Sequence, residues 1–166
     1  AEATLLVTGG QGAARLTTFA VDRQILQKNQ VRPASDPEIA LDMVGCGGPI
    51  LEQEVWIVHP DTRQRCAGSE VGEIWVRGPS VAQGYWQQPE LSAATFAAQT
   101  NTGEGPFLRT GDLSFFHEGQ LYVTGRLKDL IIIHGRNHYP QDIESTIDTC
   151  HPALEPGMGA VFTIMA

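Results

Sequence analysis

Three cysteines occur in 166 residues, Cys46, Cys66 and Cys150. An odd number without paired spacing gives no disulfide framework and fits idle thiols in a reducing compartment. The five histidines are scattered and never approach zinc-ligand spacing with the cysteines. Basic charge is also scarce: 11 Lys and Arg against 19 Asp and Glu leave a net charge of −8. No local run of Lys and Arg compensates, so a nucleic acid backbone finds no surface to bind. No apolar run approaches the roughly 20 residues of a membrane helix, and no signal-peptide pattern opens the chain. These absences lead to the expectation of a soluble, cytoplasmic protein. The chain also opens without Met, at Ala1-Glu2-Ala3-Thr4-Leu5, and closes on an apolar run from Val161 to Ala166. Both ends read as cut.

What is present is β-rich. A hydrophobic share of 42%, with 18 Gly and 10 Pro, supplies one core and favours strands and turns over a helical bundle. Leu5 to Val7 breaks at the glycine turn Gly9-Gly10-Gln11-Gly12. Thr17 to Val21 is β-prone, and Asp22 then caps a brief helix through Lys28, with Asn29 suited to the left-handed position after it. A Pro-bearing connection, Arg32 to Pro37, leads to Leu41–Gly48. The stretch from about 9 to 46 reads as an elaborated insertion on a barrel scaffold. Val55 to Val58 ends at the turn His59-Pro60-Asp61-Thr62. It should pair with Gly72 to Gly78, whose alternation predicts a half-buried strand. Pro89 starts a short helix towards Phe96. Phe107 to Arg109 follows, then a hairpin from Leu113 to Val123 turning at His117-Glu118-Gly119-Gln120. A small distorted β-barrel over about 47–126 is the expected product.

Beyond Arg126 the pattern changes. Residues 129–133 and 137–139 flank the tight turn His134-Gly135-Arg136, and Pro140 suits the first position of a helix. Ile143, Ile147 and Cys150 form one apolar stripe on that helix, with Asp142 and Glu144 near its N-terminus. Ala160 to Ile164 is expected to be a further strand. The fold class is thus α+β: a distorted β-barrel subdomain followed by the hairpin-plus-helix start of a small α/β domain. The division falls at 1–126 and 127–166.

Three runs carry chemistry: Leu108-Arg109-Thr110-Gly111-Asp112-Leu113, Gly125-Arg126-Leu127-Lys128-Asp129-Leu130 and Gly135-Arg136-Asn137-His138-Tyr139-Pro140. One carboxylate can accept from both hydroxyls of a ribose, so Asp112, held by a Thr-Gly turn, is a candidate nucleoside clamp. A guanidinium stays charged and forks onto ribose and phosphate oxygens, which suits Arg126 at a strand end. Either residue alone would read as a solvated surface charge; the joint spacing points to a nucleotide.

Those runs resemble the adenylate-forming enzymes, which activate carboxylic acids with ATP, and the whole chain is similar to the latter part of a fatty acyl-AMP ligase. Residues 1–5 resemble the end of that family's Tyr-Gly-Leu-Ala-Glu-Ala-Thr-Leu motif, and Glu73 to Trp86 resembles its barrel motif. Gly125 through Glu144 is the most discriminating stretch. The resemblance implies that Glu2 helps hold Mg2+ and the phosphates, with Ala1 beside it in the nucleotide site. It further implies that Asp112 binds the ribose, that Arg126 binds ribose and phosphate, and that Lys128 is the hinge about which the small domain rotates. It assigns the stretch around 9–46 to a branch-specific element that disfavours coenzyme A. ATP and Mg2+ are the implied cofactors, and a fatty acid and an acyl carrier protein the implied partners, in a monomer or part of a larger synthase. The upstream phosphate-binding loop and the downstream catalytic Lys of the family are not among these residues. The chain alone is therefore expected to be inactive and to contain no catalytic residue of its own. A fatty acyl-CoA ligase, an amino-acid-activating domain and a noncatalytic β-rich binding module are the competing readings.

Overall fold

The computed structural model describes residues 2–3, 6–10 and 16–164. Fourteen short elements are arranged around one four-stranded antiparallel sheet among the described residues. The N-terminal part contains β1 (Thr8–Gly9), β2 (Thr18–Asp22), α1 (Arg23–Leu26), β3 (Ala40–Val44) and β4 (Gly48–Pro49). The central sheet is β5 (Glu54–Val58), β6 (Gly72–Arg77), β7 (Leu108–His117) and β8 (Gln120–Arg126), paired in that order, with α2 (Pro89–Phe96) between β6 and β7. A 3-10 turn over Leu127–Asp129 then leads to β9 (Ile131–Ile133), β10 (Arg136–His138) and α3 (Pro140–Cys150).

Local chemistry accounts for most of these boundaries. Asp22 Oδ1 accepts from the amides of Gln24 (2.9 Å) and Ile25 (3.1 Å), satisfying two donors at the start of α1. Asn29 follows at φ 57°. Pro89 and Pro140 open α2 and α3, where a missing amide costs nothing. His134 and Gly135, at φ 50° and 73°, make the tight turn that pairs β9 with β10.

The mixed fold agrees with expectation, but the sheet is open: no closed barrel forms among the described residues. Cys46 N–H donates to Leu121 O (2.8 Å) and Leu121 N–H to Gly47 O (2.9 Å), so the chain at 46–47 extends the sheet past β8. The β2–β3 pair contributes Val21 and Met43 to a cluster with Leu26, Leu113, Phe115, Tyr122 and Tyr139. A second cluster gathers Val55, Ile57, Ile74, Val76 and Leu108, and a third gathers Val58, Trp75, Ala98 and Phe107.

Three expectations are corrected. β6 is buried on both faces, because it is an interior strand with the second cluster on one side and the third on the other. Residues 160–164 form no strand. The stripe of α3 is largely uncovered: Ile147 and Cys150 are exposed, and the helix contains no buried residue.

Candidate functional site

Asp112 does not sit in a free turn. It lies inside β7, between two irregularities of pairing. Against β6, Glu73 faces Leu113 and Trp75 faces Arg109, so Thr110, Gly111 and Asp112 together oppose Ile74. Against β8, Ser114 faces Val123 but Leu113 faces Gly125, leaving Thr124 as the extra residue. Without that bulge Gly125 would stand opposite Asp112; with it, Arg126 does. Arg126 Nε then donates to Asp112 Oδ1 at 2.9 Å.

Side chains take the place of ladder bonds at the wider bulge. Gly111, at φ 75°, uses the left-handed region that glycine adopts without steric cost. Its amide donates to Glu73 Oε1 at 3.0 Å. Thr110 Oγ1 donates to Ile74 O at 2.9 Å and accepts from the Asp112 amide at 3.1 Å. Glu73 is only 2% exposed and is also held by Trp75 Nε1 and Arg109 Nε, both at 2.9 Å, and by the second Arg109 nitrogen at 2.7 Å.

A cavity of about 220 Å³ opens beside this bulge, lined by Glu2, Ala3, Tyr85, Leu108, Arg109, Thr110, Asp112 and Arg126. Glu2 joins the lining from the N-terminal segment. Its backbone carbonyl accepts from the Ala82 amide at 2.7 Å, and its carboxylate accepts from Tyr85 OH at 2.9 Å. That hydroxyl bond is the largest influence holding the Glu2 carboxyl below its ordinary range. Tyr85 is positioned by α2: Ser92 Oγ accepts from the Tyr85 amide at 2.8 Å, and Phe96 meets the Tyr85 ring edge-on at 5.1 Å.

The structure thus brings Glu2, Asp112 and Arg126 to one concave surface. Ala1 lies outside the described residues. Lys128 is exposed in the 3-10 turn and is not among the cavity-lining residues. Glu73, Tyr85, Arg109 and Thr110 were not singled out from the sequence as site residues. Glu73 and Tyr85 both lie in the run from Glu73 to Trp86 that resembles the family's barrel motif, and that resemblance was the usable signal for them. Among the described residues no three His, Cys, Asp or Glu side chains converge as a cation cage. Glu2 is a carboxylate in the cavity lining of the kind that would suit an Mg2+ ion shared with ligand phosphates.

A cavity lined by the carboxylates of Glu2 and Asp112, with the Arg126 guanidinium paired to Asp112, is suited to a polyhydroxylated anion such as a nucleotide. The AMP-binding enzyme family model matches residues 19–86. The chain is 46% identical over 168 residues to the medium-chain fatty acid–acyl-carrier-protein ligase JamA of Moorena producens, covering 99% of this chain and 28% of that protein. It is 40% identical over 171 residues to the corresponding ligase TtuA of Teredinibacter turnerae, covering 98% and 27%. Among solved structures, the fatty acyl-adenylate ligase of Legionella pneumophila in complex with acyl adenylate and pyrophosphate superposes with a TM-score of 0.73 at 47% identity, covering 99% of this chain and 29% of that one. The chain therefore spans under a third of the length of these relatives; residues 19–86 match the AMP-binding enzyme family, and nearly the whole chain is similar to one part of the fatty acyl-AMP ligases.

Proposed function

We propose that the protein carrying this chain activates a fatty acid with ATP and passes the acyl group to an acyl carrier protein. The observation that carries this reading is the meeting of Asp112, Arg126 and the Glu2–Tyr85 pair around one cavity. In the first half-reaction the acid's carboxylate oxygen bonds to the α-phosphorus of ATP, the bond to the β-phosphate oxygen breaks, and pyrophosphate leaves. Two anions must be brought together, so positioning and charge compensation carry most of the burden. Asp112 accepts from the ribose hydroxyls. Arg126 turns from Asp112 towards the ribose and phosphate. Glu2 would hold an Mg2+ ion from the protein side, and that ion would offset phosphate charge. In the second half-reaction a phosphopantetheine thiol adds to the acyl carbonyl and AMP leaves.

Lys128 is assigned to the hinge between a large domain ending at 126 and a small domain from 127. Its exposure in a short 3-10 turn between β8 and β9 supports a position that can change backbone state. The stretch from about 9 to 46 is assigned to restraint of the small domain. Asn137 Nδ2 donates to Asn29 Oδ1 at 2.7 Å and the Asn137 amide to Gln27 O at 2.9 Å, so this stretch touches the start of that domain. Such restraint favours a tethered carrier thiol over coenzyme A.

The test is mass spectrometry of the full-length protein with ATP and a fatty acid, followed by addition of either phosphopantetheinylated carrier protein or coenzyme A. Acyl-AMP followed by acyl transfer to the carrier protein supports the proposal. Acyl-CoA as the main product would make the enzyme a coenzyme A ligase, and no acyl-AMP with any fatty acid would leave a noncatalytic module.

A further inference from the structure

We propose that Glu73 is a positioning residue for the nucleotide: a buried carboxylate that fixes the Thr110-Gly111-Asp112 bulge and so sets the direction of the Asp112 carboxyl. The inference rests on the reading of the cavity as a nucleotide site. Glu73 is not itself among the cavity-lining residues; it acts through Arg109, which is, and through Gly111, which precedes Asp112.

A bulge frees the chain from its ladder, and a freed segment does not keep one direction unless something else holds it. Three residues of β7 oppose one residue of β6 here, so the Gly111 amide has lost its place in the ladder. Glu73 Oε1 accepts that amide at 3.0 Å, from the residue immediately before Asp112. Glu73 Oε2 takes Arg109 and Trp75, which hold the carboxylate itself in place from two further directions. Trp75 is fully buried, so the anchor behind the bulge is part of the core rather than a mobile surface group. Thr110 supplies the second strut by joining Ile74 O to the Asp112 amide. Both oxygens of Glu73 are committed inside the protein, which separates its role from that of Asp112, whose ion pair faces the cavity.

The experiment measures fatty-acid-dependent exchange of pyrophosphate into ATP by the full-length protein, for the wild type, Glu73→Ala and Glu73→Gln, with hydrogen exchange of the Gly111 amide in each. Glu73→Ala is expected to raise the KM for ATP by about tenfold or more, while the KM for the acid stays within about twofold. The Gly111 amide should lose its protection in the same variant. Glu73→Gln keeps one acceptor oxygen but presents an NH2 to the other set of donors, so its Gly111 protection and its KM for ATP should both lie between those of the wild type and Glu73→Ala. The proposal is overturned if wild-type Gly111 exchanges as fast as exposed loop amides, if Glu73→Ala leaves the KM for ATP unchanged, or if both KM values rise together with a falling melting temperature. Should Glu73→Ala not fold, Glu73→Gln decides: loss of ATP affinity with Gly111 still protected contradicts the positioning role. Absence of pyrophosphate exchange in the wild type would defeat the functional reading. The protection of Gly111 and its loss in Glu73→Ala would then still decide whether Glu73 holds the bulge.

Discussion

Asp112 carries the most direct residue-scale prediction. Its ion pair with Arg126 is about as exposed as the two side chains' relative accessibilities of 36% and 52% indicate, and such pairs contribute at most about 1 kcal/mol to stability. Asp112→Ala should therefore leave the melting temperature nearly unchanged. Its loss as an acceptor for two ribose hydroxyls should cost about 2–4 kcal/mol of nucleotide binding, seen as a raised KM for ATP. An unchanged KM would remove Asp112 from the site. Glu2 gives a prediction in pH. The Tyr85 hydroxyl, the largest cause, holds the Glu2 carboxyl below its ordinary value, so the anionic form and what depends on it are present above that value and lost as pH falls through the lowered one. Tyr85→Phe removes the bond and should move the acid limb of the pH–activity profile to higher pH; an unmoved limb would mean that Glu2 does not govern it. Asp112 and Arg126 were readable as candidates from the joint spacing of their runs, and Glu2 only from the resemblance of residues 1–5 to a family motif. Glu73 and Arg109 were not legible as a unit: they sit 36 positions apart, and only the pairing of β6 with β7 joins them.

Strand irregularity is what places the site at the scale of elements. The hairpin turn at Glu118-Gly119 was readable from composition, the β5–β6 pairing from apolar alternation and the turn after Val58, and the openings of α1, α2 and α3 from caps and prolines. The bulge at Thr124 was not readable. A one-residue slip leaves no mark in the hydrophobic pattern, yet it decides that Arg126 rather than Gly125 faces Asp112. Gly125 has a separate role, since a Cβ there would lie 2.8 Å from Tyr139 Cδ1. Gly125→Ala must displace a buried ring and should destabilise by about 1–3 kcal/mol, measured by denaturant unfolding; a neutral effect would mean that Tyr139 repacks freely. Lys128→Pro fixes one backbone angle in the turn after β8 and removes an amide donor. Acyl-AMP formation and transfer to the carrier protein should then change by unequal factors, and equal losses with folding intact would contradict the hinge assignment.

At the scale of the whole molecule, the β-rich, turn-punctuated sequence announced an antiparallel sheet with a helix-bearing tail, and the described residues form it. They did not announce which apolar faces stay uncovered. Ile132, Ile147, Met158 and Phe162 are apolar by type and exposed in place, because no described element covers them. Nor does any described helix reach the length and apolarity needed to cross a membrane. The central claim concerns the cavity between Glu2, Asp112 and Arg126, and the most direct measurement is fatty-acid-dependent exchange of labelled pyrophosphate into ATP by the full-length protein, wild type against Asp112→Ala. The account predicts exchange that requires the fatty acid in the wild type and weakens in the variant through a higher KM for ATP. Exchange that is absent with every fatty acid, or that persists at the same KM without Asp112, would contradict it.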